Sequence, residues 1–405
     1  MSTNRPGKVA KLPAAALPDG FPDESWLRAF RRRLLAWYGK HARQLPWRQT
    51  RDPYRVWISE IMLQQTQVAT VIPYFQRFIE ALPTVEHLAA ADEQQVLRLW
   101  EGLGYYRRAR QLHAAAKKIV AEHDGQFPAD PAAIAKLPGI GRYTAAAVAS
   151  IAFGAQAAIL EANTRRLYAR LLAERGELES SAAQARLWSF AEHLLPKQDC
   201  GAFNQALMEL GATICTPRSP QCAACPVAEL CPTFALGLQD EIPQATRKVK
   251  IEDVREAAVI VRSPAGQVLV LRYEPGQRWA GLWDFVRFPL PEGQALDTPA
   301  DASPATLQTF LANEVQRRTG YRVSVEPQAI AQIKHPVTRY RITLNAFVAQ
   351  LAGSQNRRAK ATAAEKIQNE STWVDVAELH HLPLSATGRK LARLVEKLPA
   401  EPPRG

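Results

Sequence analysis

Four of the five cysteines in this 405-residue chain fall within one 17-residue stretch: Cys215, Cys222, Cys225 and Cys231, spaced C-x6-C-x2-C-x5-C. Thiolates drawn to one point repel each other, so the loop calls for a soft metal centre, either zinc or an iron–sulfur cluster. Zinc ribbons present two C-x2-C knuckles roughly 15 to 20 residues apart. Here a single C-x2-C has longer arms, which favours a [4Fe–4S] cluster over zinc or metal-free thiols. Pro217, Pro220, Pro226 and Pro232 keep the loop from becoming helical, and Cys200, outside the spacing, reads as a small buried residue. A second chemical signal is Glu60, which interrupts the apolar run from Val56 to Leu63. On a solvated helix face it would be ordinary; desolvated, its pKa rises and it becomes a usable acid. A third is the turn Leu137-Pro138-Gly139-Ile140-Gly141. Without Cβ atoms, its backbone N–H groups can approach a phosphate at the positive end of the following helix, although alone it reads equally well as a plain helix connector.

The elements that must position these residues change character along the chain. From Trp26 to about Leu230 the apolar pattern is helical, with Pro and Gly punctuation, which predicts an all-α domain. Between Pro232 and Val254 the periodicity is lost and Arg247, Lys248 and Lys250 appear, as in a linker. Beyond it, Ala257 to Val261, Val268 to Tyr273, Tyr321 to Val325 and Arg341 to Val348 read as strands, and Ala305 to Thr319 and Thr387 to Leu398 as helices. This predicts a second, α+β domain of roughly 150 residues. With 47% hydrophobic and 22% charged residues the chain is no disordered polymer, and five cysteines are too sparse for a disulfide scaffold. No apolar run approaches the roughly 18 residues that a membrane span needs. The N-terminus lacks an apolar h-region and reads as a basic arm rather than a signal peptide. A net charge of +12 favours polyanionic partners.

Joined to the cysteine loop downstream, the hairpin resembles that of the helix-hairpin-helix DNA glycosylase superfamily. Leu45-Pro46-Trp47-Arg48, Pro53-Tyr54, the stretch from Val56 to Val68, Gly102-Leu103-Gly104-Tyr105-Tyr106-Arg107 and Phe203-Asn204-Gln205-Ala206 are similar to the adenine DNA glycosylases, the MutY family. The resemblance is dense from about residue 26 to 231 and loose beyond. It implies a multidomain protein: a flexible basic arm (1–23), an all-α helix-hairpin-helix glycosylase domain ending in the iron–sulfur loop (24–231), a linker (232–254), a smaller α+β Nudix-like recognition domain (255–398) and a tail (399–405). The segment similar to a Nudix box, Leu311 to Gly320, holds a single Glu314 and lacks the acidic cluster of a magnesium-dependent hydrolase, so recognition rather than hydrolysis is expected there.

The family's residues carry over position by position. Glu60 would protonate adenine N7, and Trp47, Arg48 and Gln205 would line the adenine pocket. Glu161 would stabilise the oxocarbenium ion, with Asn163 and Tyr143 orienting it. The chain departs from its relatives here: they have Asp-Gly-Asn, and this sequence reads Glu161-Ala162-Asn163. A carboxylate displaced by about 1 Å can lose much of its benefit, and glutamate is a poorer N-cap than aspartate. Tyr143 stands where the related endonuclease III proteins have a Schiff-base lysine, so a monofunctional glycosylase is implied. Gln65 and one of Tyr105 or Tyr106 match intercalating positions; Arg107, Leu137, Gly139, Gly141 and Arg165 would contact DNA. The family's Phe-Ser-His turn, which reads 8-oxoguanine, is replaced by Val337, Thr338 and Arg339. Thr338 can supply the serine's hydrogen bond, and Arg339 is free to meet a phosphate.

The resulting expectation is a cytoplasmic, nucleoid-associated, monomeric enzyme without membrane partners. It would excise adenine mispaired with 8-oxoguanine or guanine in duplex DNA. The alternatives are an endonuclease III-like lyase on damaged pyrimidines, which Tyr143 opposes, and a non-catalytic DNA-binding iron–sulfur protein. A zinc deaminase is disfavoured because no H-x-E accompanies the cysteines.

Overall fold

The computed structural model describes residues 20–244, 251–291, 304–352 and 370–399. Most of the expected tail and of the expected basic arm lies outside the described residues, as do residues 245–250 of the expected linker. The chain forms two compact units, one from residues 1–90 with 111–247, the other from 91–110 with 248–405. Residues 91–110, placed with the helical domain by their sequence, therefore group with the C-terminal unit. The expected linker is also not loose throughout. Its start forms the short helix Pro232–Ala235 and buries Ile242 in the first unit's core, and its end belongs to the strand Glu252–Arg262.

The first unit is helical, as the periodicity predicts. Helix Glu24–His41 begins at Asp23, whose carboxylate accepts from Trp26 N at 2.9 Å, and its apolar stripe Trp26, Leu27, Phe30 and Leu34 packs with Phe190 and Phe203. Helix Pro53–Leu63 starts with Pro53 after the cap Asp52 and is buried on nearly every side, which is why Glu60 cannot escape to solvent. The hairpin joins the short helix Pro131–Ile134 to helix Arg142–Phe153. Helix Cys200–Thr213 packs across both Arg142–Phe153 and Ala162–Leu171. That crossing needs Gly211: a Cβ there would lie 2.8 Å from Cβ of Asn163 and push away the start of the helix that Glu161 caps.

Among its described residues the second unit holds, besides residues 91–110, a mixed eight-stranded sheet with a helix on each face. Strand Glu252–Arg262 runs parallel to Tyr340–Leu351 from Glu252 opposite Tyr340 to Arg262 opposite Gln350. Its side chains alternate: Ala257, Val259 and Val261 meet Leu311 and Val315 of helix Pro304–Thr319, while Ala258 and Ile260 meet Leu391, Ala392 and Val395 of helix Ala386–Val395. The four expected strands form, but the first extends to Glu252–Arg262 and the last to Tyr340–Leu351, while the third shortens to Val323–Val325. Strands Trp283–Asp284, Val286–Pro289, Ala331–Val337 and Ser371–Val374 were not expected. Among the described residues no helix is long and apolar enough to cross a membrane.

Candidate active site

A cavity of about 460 Å³ in the first unit is lined by Trp47, Arg48, Glu60, Gln65, Tyr143, Glu161, Asn163 and Gln205, together with Arg43 and Glu209. Residues from five separate stretches of the chain thus converge, and they include all of the expected catalytic and adenine-pocket positions. Burial pushes the Glu60 carboxyl up to about 7, against an opposing hydrogen bond from Tyr143. Near neutral pH it therefore holds a proton about half the time. Burial also raises Glu161, while N–H groups of Asn163 and Thr164 pull it back.

The environment of Glu161 explains how the longer side chain is accommodated. Its two oxygens accept from Asn163 N and Thr164 N, each at 2.8 Å, and Thr164 Oγ1 accepts from Glu161 N at 2.9 Å, a complete capping box on helix Ala162–Leu171. The cap is therefore well made, contrary to the expectation for glutamate. The expected support differs too. Tyr143 OH donates to Glu60 Oε2 at 2.6 Å rather than orienting Glu161. Asn163 holds Glu161 through its backbone, while its side-chain oxygen accepts from Arg166.

Removing the tyrosine hydroxyl takes away an interaction that lowers the pKa of Glu60. The basic limb of the pH–rate profile of Tyr143→Phe is therefore expected to move to higher pH, with less than about a tenfold loss of maximal rate. An unmoved or lowered limb would contradict the assignment.

Sequence reasoning missed Glu209. It is fully buried and takes Arg43 on both oxygens (2.6 and 2.9 Å) and Arg48 on Oε2 (2.9 Å). Burial alone would raise its carboxyl; the two arginines hold it below the usual range. Its spacing, four residues after Gln205 on one helix face, is the signal that finds it. The neighbouring Asn204 is structural, its amide donating to Ser150 Oγ and Ala157 O at 2.9 Å.

The expected DNA contacts divide by exposure. Gln65 (φ +57°) is exposed just past helix Pro53–Leu63. Gly139 and Gly141 are exposed at the hairpin, whereas Leu137 is buried and can offer only its backbone. Gly139 has φ +74°, and a Cβ would sit 2.6 Å from Cβ of Gln111, so only glycine fits. Arg165 pairs with Glu179 at 2.9 Å. In the second unit Tyr105 is 49% exposed, but Tyr106 is buried and its hydroxyl accepts from Gly102 N, so it holds the turn instead of projecting. Arg107 is exposed. Thr338 (φ +51°) and Arg339 form the tip between strands Ala331–Val337 and Tyr340–Leu351, with Val337 half-buried. Arg339 pairs with Glu252 at 3.5 Å. His335 anchors this hairpin: Arg287 donates to its Nε2, and burial together with Arg287 pushes its pKa down to about 4. At the Nudix-like segment, Glu314 is paired to both Arg317 and Arg318.

The four loop cysteines ring one cavity against helix Ala162–Leu171. Among the described residues no three His, Cys, Asp or Glu side chains gather so as to hold a single metal ion. Four soft sulfur donors on one short loop suit an iron–sulfur cluster. Burial pushes the Cys225 thiol up to about 12 and Cys231 to about 11, with the neighbouring thiols adding to the rise, so a cluster must displace these protons on binding. Arg170 and Arg166 fasten the loop. Arg170 donates to Cys215 Sγ at 3.2 Å and Thr216 O at 2.8 Å, and Arg166 to Cys215 O at 2.8 Å. Because both arginines lie on the helix capped by Glu161, loss of the cluster reaches the cavity. Cys225→Ser is expected to lower the melting temperature by on the order of 10 °C, checked by thermal denaturation.

The profile described as HhH-GPD superfamily base excision DNA repair protein matches residues 58–193, the iron–sulfur binding domain of endonuclease III matches 215–231, and the NUDIX domain matches 257–394. The chain is 31% identical to the adenine DNA glycosylase of Homo sapiens over 93% of this chain and 76% of that protein. It is 46% identical to that of Rattus norvegicus over 52% and 43%, respectively. Among solved structures, a thermostable thymine-DNA glycosylase is similar at 32% identity and a TM-score of 0.48, covering 52% of this chain and 98% of that one. The cysteine loop accordingly carries a [4Fe–4S] cluster.

Proposed function

Since the chain belongs to the adenine DNA glycosylase family, we propose that it removes adenine mispaired with 8-oxoguanine or guanine from duplex DNA, as a monofunctional, monomeric base excision repair enzyme acting on nucleoid DNA in the cytoplasm. The observation that carries this reading is the pair Glu60 and Glu161 facing one cavity whose other walls are Trp47, Arg48 and Gln205. One carboxyl is poised to give up a proton near neutral pH, and the other is held at a helix N-terminus.

In the proposed reaction the extruded adenine lies beside Trp47, with Arg48 and Gln205 at its polar edges. Glu60 donates its proton to adenine N7 while Tyr143 holds the carboxyl in place. The C1′–N9 bond breaks with its electron pair leaving on adenine, and Glu161 stabilises the positive sugar carbon electrostatically or by a transient bond. Water then adds to C1′ and its proton leaves, with Glu60, now a carboxylate, able to take it. Tyr143 has no amine for a Schiff base, so the abasic strand stays intact. When bound, the cluster ties four thiolates together and so fixes the loop against helix Ala162–Leu171. Arg165 and the hairpin supply phosphate contacts, and Thr338 and Arg339 face the opposite base or its backbone.

Duplexes with A opposite 8-oxoguanine, A opposite G, or thymine glycol, compared with and without alkali, test the reading. Strand breakage at A only after alkali is expected. Breakage without alkali, or efficient borohydride trapping of an adduct, would instead mark a lyase.

A further inference from the structure

The C-terminal unit is built around residues 91–110. Arg98 donates to His380 O at 2.9 Å and Gln94 to Gly281 O at 3.1 Å, while Gln94 Oε1 accepts from Trp283 Nε1 at 2.9 Å. A further contact is made by Glu101, whose side chain is 9% exposed. Its oxygens accept from Arg389 Nε and NH2 at 2.6 and 2.9 Å, and Oε2 also accepts from Leu384 N at 3.3 Å. Arg389, on helix Ala386–Val395, is itself pinned by Leu379 O at 2.8 Å and Leu382 O at 2.6 Å. A guanidinium fork saturated in this way tolerates one geometry.

Immediately after Glu101 the backbone enters an unusual turn. Gly102, Gly104 and Tyr105 all have positive φ, at 99°, 72° and 49°. Glycine adopts this freely; tyrosine does so at a cost, and such strain persists only where the surroundings hold it. Trp100 Nε1 donates to Gly104 O at 3.2 Å, and Arg108 donates to Leu103 O and Gly104 O at 3.3 Å. These close the turn internally, while Glu101 and Arg98 tie its entry, and Arg110 through Ala280 O its exit, to the rest of the C-terminal unit. The result is an aromatic ring presented to solvent from a rigid, strained backbone.

We propose that the Glu101–Arg389 pair is a positioning device for the Tyr105 turn, so that helix Ala386–Val395 sets how well Tyr105 enters a duplex and fills the gap left by an extruded base. The inference rests on the reading of Tyr105 as an intercalating side chain. Breaking the pair leaves a poorly solvated charge and lets the turn relax. Extrusion of a well-stacked base then loses its replacement, whereas a base already loosely stacked needs little.

The test uses the full-length, cluster-loaded protein and single-turnover excision. The duplexes carry adenine opposite 8-oxoguanine or opposite an abasic site, and 2-aminopurine fluorescence at the target position reports extrusion. Glu101→Gln, which keeps side-chain shape, is expected to lower both extrusion and excision at the 8-oxoguanine pair about tenfold and to change the abasic-paired substrate less than about twofold. Arg389→Lys, which keeps the charge but not the fork, should fall between. Tyr105→Ala should reproduce the loss, and adding Glu101→Gln to it should cost little more. Normal extrusion in Glu101→Gln and Arg389→Lys alongside a defective Tyr105→Ala overturns the proposal. Equal losses on both substrates overturn it too, because they signal a general defect. A normal Tyr105→Ala instead removes the intercalation reading, and the proposal with it.

Discussion

Glu60→Gln protein is expected to release adenine about 10³-fold more slowly than the parent while binding the mispaired duplex within about threefold of it. The argument is local. Glu60 sits on a helix buried on almost every side, which pushes its pKa up to about 7 and supplies a proton at the pH where the enzyme works. Glutamine has nearly the same shape and its carbonyl can still accept from Tyr143 OH, so the cavity should survive; the amide has no proton of suitable acidity to give. Single-turnover excision at several pH values measures the effect. The parent rate should fall as pH rises through about 7, and the variant should lack that limb. A variant within tenfold of the parent would remove Glu60 from its role. A stability effect accompanies this. With a folded-state pKa above the ordinary 4.5, the native state binds more protons than the unfolded chain between these values, so the parent loses stability as pH rises from 4.5 to about 7. Glu60→Gln removes this penalty and should melt higher than the parent above pH 7.

The second large effect is expected at Glu161. Glu161→Gln should slow excision by about 10²- to 10³-fold, the range for loss of one group that stabilises developing charge. Glutamine also accepts hydrogen bonds from Asn163 N and Thr164 N less strongly than a carboxylate does, so the helix Ala162–Leu171 should weaken by about 1 kcal/mol. Glu161→Asp separates the two functions: it keeps both the charge and a good cap, and should stay within about tenfold of the parent. If Gln and Asp variants are equally slow, the side chain's length matters more than its charge. If Gln is as fast as the parent, Glu161 only caps a helix.

Exposure also divides the neighbouring pair Tyr105 and Tyr106, which the sequence presents as equivalent. The glycines at 102 and 104 mark a turn, but which ring it buries depends on the bond from Gly102 N to Tyr106 OH. The same holds for Leu137, whose place in the motif says nothing of the direction in which its side chain points.

Much of the protein was legible before folding. Periodicity of 3.6 and of 2 separated the helical part from the mixed part, because each pattern reflects a single element's buried face. Cysteine spacing pointed to the cluster because its ligands come from one short loop, and Glu60 stood out as a lone charge in an apolar run. Tertiary structure alone decided which groups meet across long separations. Tyr143 serves Glu60, 83 residues away; Glu209 neutralises Arg43 and Arg48 from 166 and 161 residues away; residues 91–110 join the C-terminal unit through Glu101 and Arg389, 288 residues apart. Local patterning depends on neighbours along the chain, whereas these pairings form only once packing has excluded water and brought distant partners within reach of each buried charge.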